Sequence, residues 1–212
     1  MRLGIFGGTF DPVHYGHLLL AECCREQCAL DAVWFLPAAV PPHKQNRELT
    51  PADARIEMLE LAIVGNGAFS VCRHETDHQG VNYSVDTLAR IAEEEPGREL
   101  FFLLGADMLF DLPHWRDPAR VCQLAVPVVV GRPGCGPVDF GCLCGIASPE
   151  QIAVIRRHQV EMPEIGISST DLRRRLSAGQ SIRYRVPRAV EMYIEAHGLY
   201  GRPEGLDNAG QI

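Results

Sequence analysis

The chain has 212 residues, 46% of them hydrophobic, and a formal net charge of −7. That length suits one sizeable core, and the acidic balance argues against general nucleic-acid binding. No run approaches the roughly 18–20 apolar residues of a membrane span. The N-terminus lacks the charged, apolar, small-residue order of a secretory signal. The expected setting is therefore cytoplasmic, with no membrane and no nucleic-acid partner.

The predicted elements alternate. Residues 2–6 read as a buried strand and 15–27 as a helix with Leu18, Leu19, Ala21 and Cys24 at core-like spacing. Residues 32–36 are a second strand, and 37–49 a loop centred on Pro41-Pro42-His43-Lys44. Thr50-Pro51 predicts a capped helix start with proline in the first helical position, the helix running to about Val64. A strand over 69–73, a polar loop over 74–82 and a helix over 84–95 follow. A strand over 100–104 then ends at Gly105, with a short helix and the segment around Trp115 after it. Residues 125–130 read as a strand, 132–145 as an irregular insertion, 149–158 as a helix and 160–165 as a last strand. Helices over 169–177 and 187–197 close one domain spanning 1–200, and 201–212 reads as a loose, flexible tail. Strands alternating with helices predict an α/β fold, a Rossmann-like doubly wound parallel sheet with helices on both faces. Such sheets bind ligands beyond the carboxyl ends of their strands.

Eight cysteines are present, none at C-x-x-C spacing. With no secretory signal and a large apolar fraction, they are expected to be small reduced hydrophobes. Charge is uneven. The window 156–188 holds eight arginines against Glu161, Glu164 and Asp171, so it is +5 and the remainder −12. Most of these arginines are expected to be solvated, with a local anion site the alternative.

The first turn carries the strongest signal. An apolar strand meets Gly7-Gly8 and then His14-x-x-His17 at a helix start. Glycines admit close backbone approach, and a helix N-terminus offers N–H groups and partial positive charge to an anion. It is neither the dinucleotide nor the Walker fingerprint. Structural histidines or a zinc pair are the alternatives to phosphate contact. At the far end, Ile167-Ser168-Ser169-Thr170-Asp171-Leu172-Arg173 opens another helix after a strand. Thr170 and Arg173 share a face there, whereas Arg174 and Arg175 point elsewhere. No serine–histidine–acid order and no pair of acid/base carboxylates stands out. Attack by an already ionised phosphate on the α-phosphorus of a nucleoside triphosphate needs neither.

Gly7-Gly8-Thr9-Phe10-Asp11-Pro12-Val13-His14-Tyr15-Gly16-His17 resembles the first signature of the bacterial nicotinate-nucleotide adenylyltransferases, nucleotidyltransferases with an H-x-G-H motif. Ile167 to Arg173 resembles their second, I-S-S-T-x-I/V-R, with Leu172 in the variable aliphatic place. The similarity spans roughly 1–200 and includes Pro41-Pro42-His43-Lys44, Gly105-Ala106-Asp107, Trp115 and the closing 186–200 segment. It implies transfer of the adenylyl group of ATP to nicotinate mononucleotide, giving nicotinate adenine dinucleotide and pyrophosphate in NAD biosynthesis. Carried over, His14, His17, Lys44 and Arg173 would be catalytic. Gly7, Gly8, Thr9, Phe10, Gly105, Asp107, Ser168, Ser169 and Thr170 would bind ATP, with Mg²⁺ held mainly by its phosphates and no protein metal ligands. Lys44, Tyr83, Ser84, Thr87 and Trp115 would receive nicotinate mononucleotide, Ser84 standing where the family has threonine. An amide-preferring or phosphopantetheine-directed transferase, or a nucleotide-binding module without catalysis, are the competing readings. Oligomeric state is left open, a homo-oligomer included, and the 132–145 insertion departs from the family's pattern.

Overall fold

The computed structural model describes residues 1–39, 49–77, 81–131 and 138–201. Six strands form one parallel sheet in the order β3-β2-β1-β4-β5-β6. They are β1 (Arg2–Gly8), β2 (Ala32–Pro37), β3 (Phe69–Val71), β4 (Glu99–Gly105), β5 (Val126–Gly131) and β6 (Gln159–Glu161). Chain direction across the sheet reverses between β1 and β4, the adjacent central strands. Their carboxyl ends, Gly8 and Gly105, therefore flank the crevice where such sheets receive ligands.

Side-chain alternation along each strand feeds two cores. Phe6 of β1, Phe101 and Leu103 of β4, and Val128 and Val130 of β5 enter one core. Leu3 and Ile5, Leu100, Phe102 and Leu104, and Val129 enter the other. The first core is covered by α1 (Tyr15–Gln27), α2 (Ala52–Ile63), α7 (Ser169–Ser177) and α8 (Arg188–Ala196). The second lies beneath α3 (Ser84–Glu94), α4 (Ala106–Asp111), α5 (Pro118–Leu124) and α6 (Pro149–Arg157). Gly4 faces the first core because a Cβ there would stand 2.8 Å from Leu30.

Four expectations are corrected. Helix α2 begins at Ala52 with Pro51 in the cap position and no side-chain cap; Thr50 instead offers its carbonyl to the Arg55 side chain. Strand β6 stops at Glu161, opposite the last residue of β5, and Pro163 has no N–H with which to extend the ladder. Helix α5 adds an element, started by the Asp117 side chain, which accepts from Arg120 N–H at 3.2 Å, and by Pro118. In the described part of the insertion, a 3₁₀ turn over Phe140–Leu143 buries Phe140 and Leu143 in the second core, so this part is packed rather than irregular. Cys135 lies outside the described residues; the seven described cysteines are free thiols, Cys24, Cys28, Cys72 and Cys122 among them buried.

Candidate active site

Where β1 ends, Phe10 adopts φ +48°, a costly left-handed conformation for an aromatic residue. The conformation turns its ring down into the first core, edge-on to Phe6 at 5.3 Å and to the His17 ring at 5.1 Å. Gly8 is required by this packing, since a Cβ there would meet the Phe10 ring at 2.9 Å. Gly7 has no such constraint; its nearest neighbour would be 3.7 Å away. The Phe10 side chain is thus a floor beneath His17 and is turned away from any ligand, which corrects its expected place in the lining. Only the backbone of Phe10 remains for that role.

The two histidines stack, ring centroids 3.7 Å apart and planes 22° from parallel. Gly16 makes the stack possible, because a Cβ there would stand 2.9 Å from His14 Nδ1. The intervening glycine is therefore as necessary to the arrangement as the histidines, a role that their spacing alone does not reveal. The His14 backbone N–H donates to His17 Nδ1 at 3.3 Å. A neutral ring that accepts at Nδ1 carries its proton on Nε2, so His17 is a donor through Nε2–H. Burial pushes the His14 imidazole down to about 4. Burial first, and the neighbouring His14 second, hold His17 well below the ordinary 6.5. Not every N–H of the helix start is unpaired: Tyr15 N–H donates to the Arg185 carbonyl at 3.1 Å.

Helix α7 closes on this turn. Ser168 caps it, accepting from Asp171 N–H at 3.2 Å. Ser169 Oγ donates to the Pro12 carbonyl at 2.9 Å. Arg173 donates to the Asp11 carbonyl through Nη1 and to Thr170 Oγ1 at 3.1 Å through Nη2. Both sequence motifs therefore meet, and Ser169 and Arg173 bind the first motif's backbone directly. Most other arginines of the basic window pair locally: Arg174 and Arg185 with Asp171, Arg183 and Arg188 with Glu191, and Arg175 with the Ser181 carbonyl.

Across the crevice, a Cβ on Gly105 would meet nothing within 4 Å, and Asp107 sits in the first turn of α4. The Trp115 ring, partly accessible, stands edge-on to Phe102 at 5.9 Å. Tyr83 precedes α3 with its ring under the Arg116 guanidinium at 4.7 Å, and Arg116 also reaches Asp86 at 3.3 Å. Ser84 is half-buried at the helix start. Thr87 is buried and committed, donating to Glu75 Oε1 at 3.1 Å, with the Tyr83 carbonyl at 3.3 Å. Its hydroxyl is not presented to a ligand, which corrects its expected role to a supporting one. Burial raises the Glu75 carboxyl to about 7, against the Thr87 hydrogen bond, which lowers it. Lys44 lies outside the described residues.

A family model described as cytidylyltransferase-like matches residues 5–175. A relative from Thermomicrobium roseum named "Probable nicotinate-nucleotide adenylyltransferase" is 44% identical over 97% of this chain and 94% of its own. A relative of the same name from Thermus thermophilus is 46% identical over 94% of this chain and all of its own. The chain belongs to the nicotinate-nucleotide adenylyltransferase family. Its fold is that of the nicotinic acid mononucleotide adenylyltransferase of Plasmodium falciparum complexed with NaAD, with TM-score 0.75 at 19% identity over 94% of this chain and 97% of that one.

Within this nicotinate-nucleotide adenylyltransferase fold, sequence reasoning misses three contributors besides Gly16. Buried Arg55 and Asp11, with half-buried Tyr200, gather behind the first motif. Arg55 sits at a helical position that a cation usually turns to solvent. Tyr200 is distant in sequence; it closes the 186–200 segment that shares the family resemblance, but nothing local ties it to Asp11. Among the described residues no three His, Cys, Asp or Glu side chains gather into a metal site, and no helix is long and apolar enough to cross a membrane.

Proposed function

We infer that this chain transfers the adenylyl group of ATP to nicotinate mononucleotide. An oxygen of the mononucleotide phosphate attacks the α-phosphorus of ATP. The bond from that phosphorus to the α,β-bridging oxygen breaks, pyrophosphate leaves, and nicotinate adenine dinucleotide forms. The observation that carries this reading is the stacked His14–His17 pair at the start of α1, with the start of α7 bonded to the same turn.

Each group has work suited to its chemistry. His17 Nε2–H and the start of α1 would stabilise negative charge growing on the α-phosphate oxygens. His14 Nδ1, which has no hydrogen-bond partner among the described residues, is a second polar atom in the same stack. Arg173 and Thr170 would meet the outer phosphates, and Ser168 and Ser169 would order the turn that receives them. Gly7, Gly8 and Thr9 would lie along the triphosphate, and Gly105 and Asp107 along the adenosine. Trp115 would face the nicotinate ring, with Tyr83 and Ser84 beside its carboxylate. The nucleophile is ionised at neutral pH, so alignment and charge stabilisation suffice and no general base is required. Magnesium enters this reading as part of the substrate, the Mg²⁺–ATP complex, since the described side chains offer no cage for it. A cytoplasmic setting belongs to the same reading, supported by the unbridged thiols among the described residues.

Pyrophosphate release, measured with ATP and either the acid or the amide mononucleotide, tests the reading. Faster release with the acid is expected. A clear amide preference would reassign the substrate, and ATP binding without release would make the chain a nucleotide-binding module.

A further inference from the structure

An acidic residue in a turn that receives a polyanion needs an explanation. Asp11 lies between Thr9 and His14 and is only 2% exposed. The Tyr200 hydroxyl, from beyond α8, donates to Asp11 Oδ1 at 2.5 Å. Tyr200 holds φ +59°, an unfavourable conformation for an aromatic residue that persists only where surroundings impose it. Burial, then the Asp11 carboxylate, push the Tyr200 hydroxyl above its ordinary range, so it stays a donor at any working pH. From α2, Arg55 is 1% exposed and the largest fully buried side chain among the described residues. It donates to the Thr9 carbonyl through Nη1 at 2.8 Å and to the Thr50 carbonyl through Nε at 2.9 Å. Its charge attracts that of Asp11.

We propose that Tyr200 and Arg55 are positioning residues that hold the Asp11 carboxylate turned into the protein, so that the phosphate turn presents donors rather than an anion to ATP. The proposal rests on the adenylyl-transfer reading and adds the device that keeps its anion site receptive. Neither residue touches substrate. Tyr200 acts through its bond to the Asp11 side chain, and Arg55 through its bond to the Thr9 carbonyl, two residues before Asp11. Freed from both, a carboxylate beside the triphosphate would repel it.

The test is ATP affinity, read as KM and as calorimetric Kd without mononucleotide. Tyr200→Phe keeps the ring and removes the hydroxyl, which bonds Asp11 and also meets the Thr50 side chain. It is expected to weaken ATP binding about tenfold, with the mononucleotide KM unchanged within about twofold, the scale on which a like charge opposes association. Adding Asp11→Asn in the Tyr200→Phe background should restore ATP affinity to within about threefold, because the repelling charge is gone. The Tyr200→Phe defect should also shrink as salt rises. Arg55→Lys, which keeps the charge but not the forked grip, should fall between wild type and Arg55→Met. Val121→Ala, in the second core far from the turn, should lower the melting temperature and leave ATP affinity unchanged.

Wild-type ATP affinity in Tyr200→Phe would overturn the proposal. So would a loss that neither Asp11→Asn nor salt relieves, since a merely structural role predicts that pattern. If wild type released no pyrophosphate from ATP and mononucleotide, the adenylyl-transfer reading would fail instead, and calorimetric ATP binding would still report on the Tyr200–Asp11 contact.

Discussion

The two ends of the crevice are built differently. At the phosphate end, backbone carbonyls of Thr9, Asp11 and Pro12 are gripped by Arg55, Arg173 and Ser169, and Tyr15 N–H is held by Arg185. Three separate parts of the chain therefore fix one turn. At the mononucleotide end, Tyr83 is exposed, Ser84 is half-buried, and Trp115 rests by its edge on Phe102. Charge stabilisation demands donors placed before the reaction begins, so the rigid end is where transition-state chemistry is expected. Recognition of a planar ring tolerates a looser frame.

Substitutions at the two ends should separate accordingly. On the adenylyl-transfer reading, His17→Ala removes a donor proposed to face the developing charge and is expected to cut kcat by at least about 10²-fold, a typical cost of losing such a donor. Steady-state kinetics check it, and near-normal turnover would refute the assignment. Gly16→Ala forces the His14 ring out of its stack. A fall in kcat of about tenfold is expected, as misplacement of a reacting group by a fraction of an ångström costs rate rather than binding. Trp115→Ala should do the reverse, raising the mononucleotide KM roughly tenfold, the scale of one lost aromatic stack, with the ATP KM unmoved. If Trp115→Ala depressed kcat instead, the contrast between the ends would collapse.

The smallest effects are on stability, and they have opposite signs at the two ends. His14 and His17 are both depressed in the fold, His14 to about 4 from 6.5, so across that interval the unfolded chain binds more protons. Their contribution is complete above pH 6.5 and is lost as pH falls toward 4. Glu75 is raised to about 7 from 4.5, so the folded chain binds the extra proton in that interval. Its contribution is complete below pH 4.5 and is lost as pH rises through 7. Glu75→Gln should therefore stay a few degrees more stable relative to wild type at pH 8 than at pH 4, a shift on the scale that about 1 kcal/mol makes in a domain of this size. Thermal melts across that range check it, and parallel curves for the two proteins would reject the burial argument.

How far each end could be read beforehand follows from the same contrast. Strand β1, the helix with both histidines and the Ser168–Arg173 start are written in contiguous residues, where periodicity and capping act locally. Helix α5 is only seven residues long, too short for periodicity to show, although Asp117-Pro118 is a legible start signal. The strand expected over 160–165 stops at Glu161, and Pro163, which has no N–H, cannot extend the ladder. The inward turn of Phe10 depends on one backbone angle, and the commitment of Thr87 depends on Glu75, twelve residues away. Arg55 and Tyr200 reach the turn through contacts 46 and 189 residues apart in sequence, to Thr9 and Asp11. No local pattern encodes such distances.

The 3.7 Å separation of the imidazoles has a consequence for how much charge they can carry. Two rings that close oppose becoming cations together, and burial already holds both below the ordinary imidazole range. Binding a triphosphate should draw the first proton in and leave the second position empty. The stack then acts as a one-proton reservoir, and calorimetry in buffers of differing ionisation enthalpy should count no more than one proton taken up per nucleotide bound.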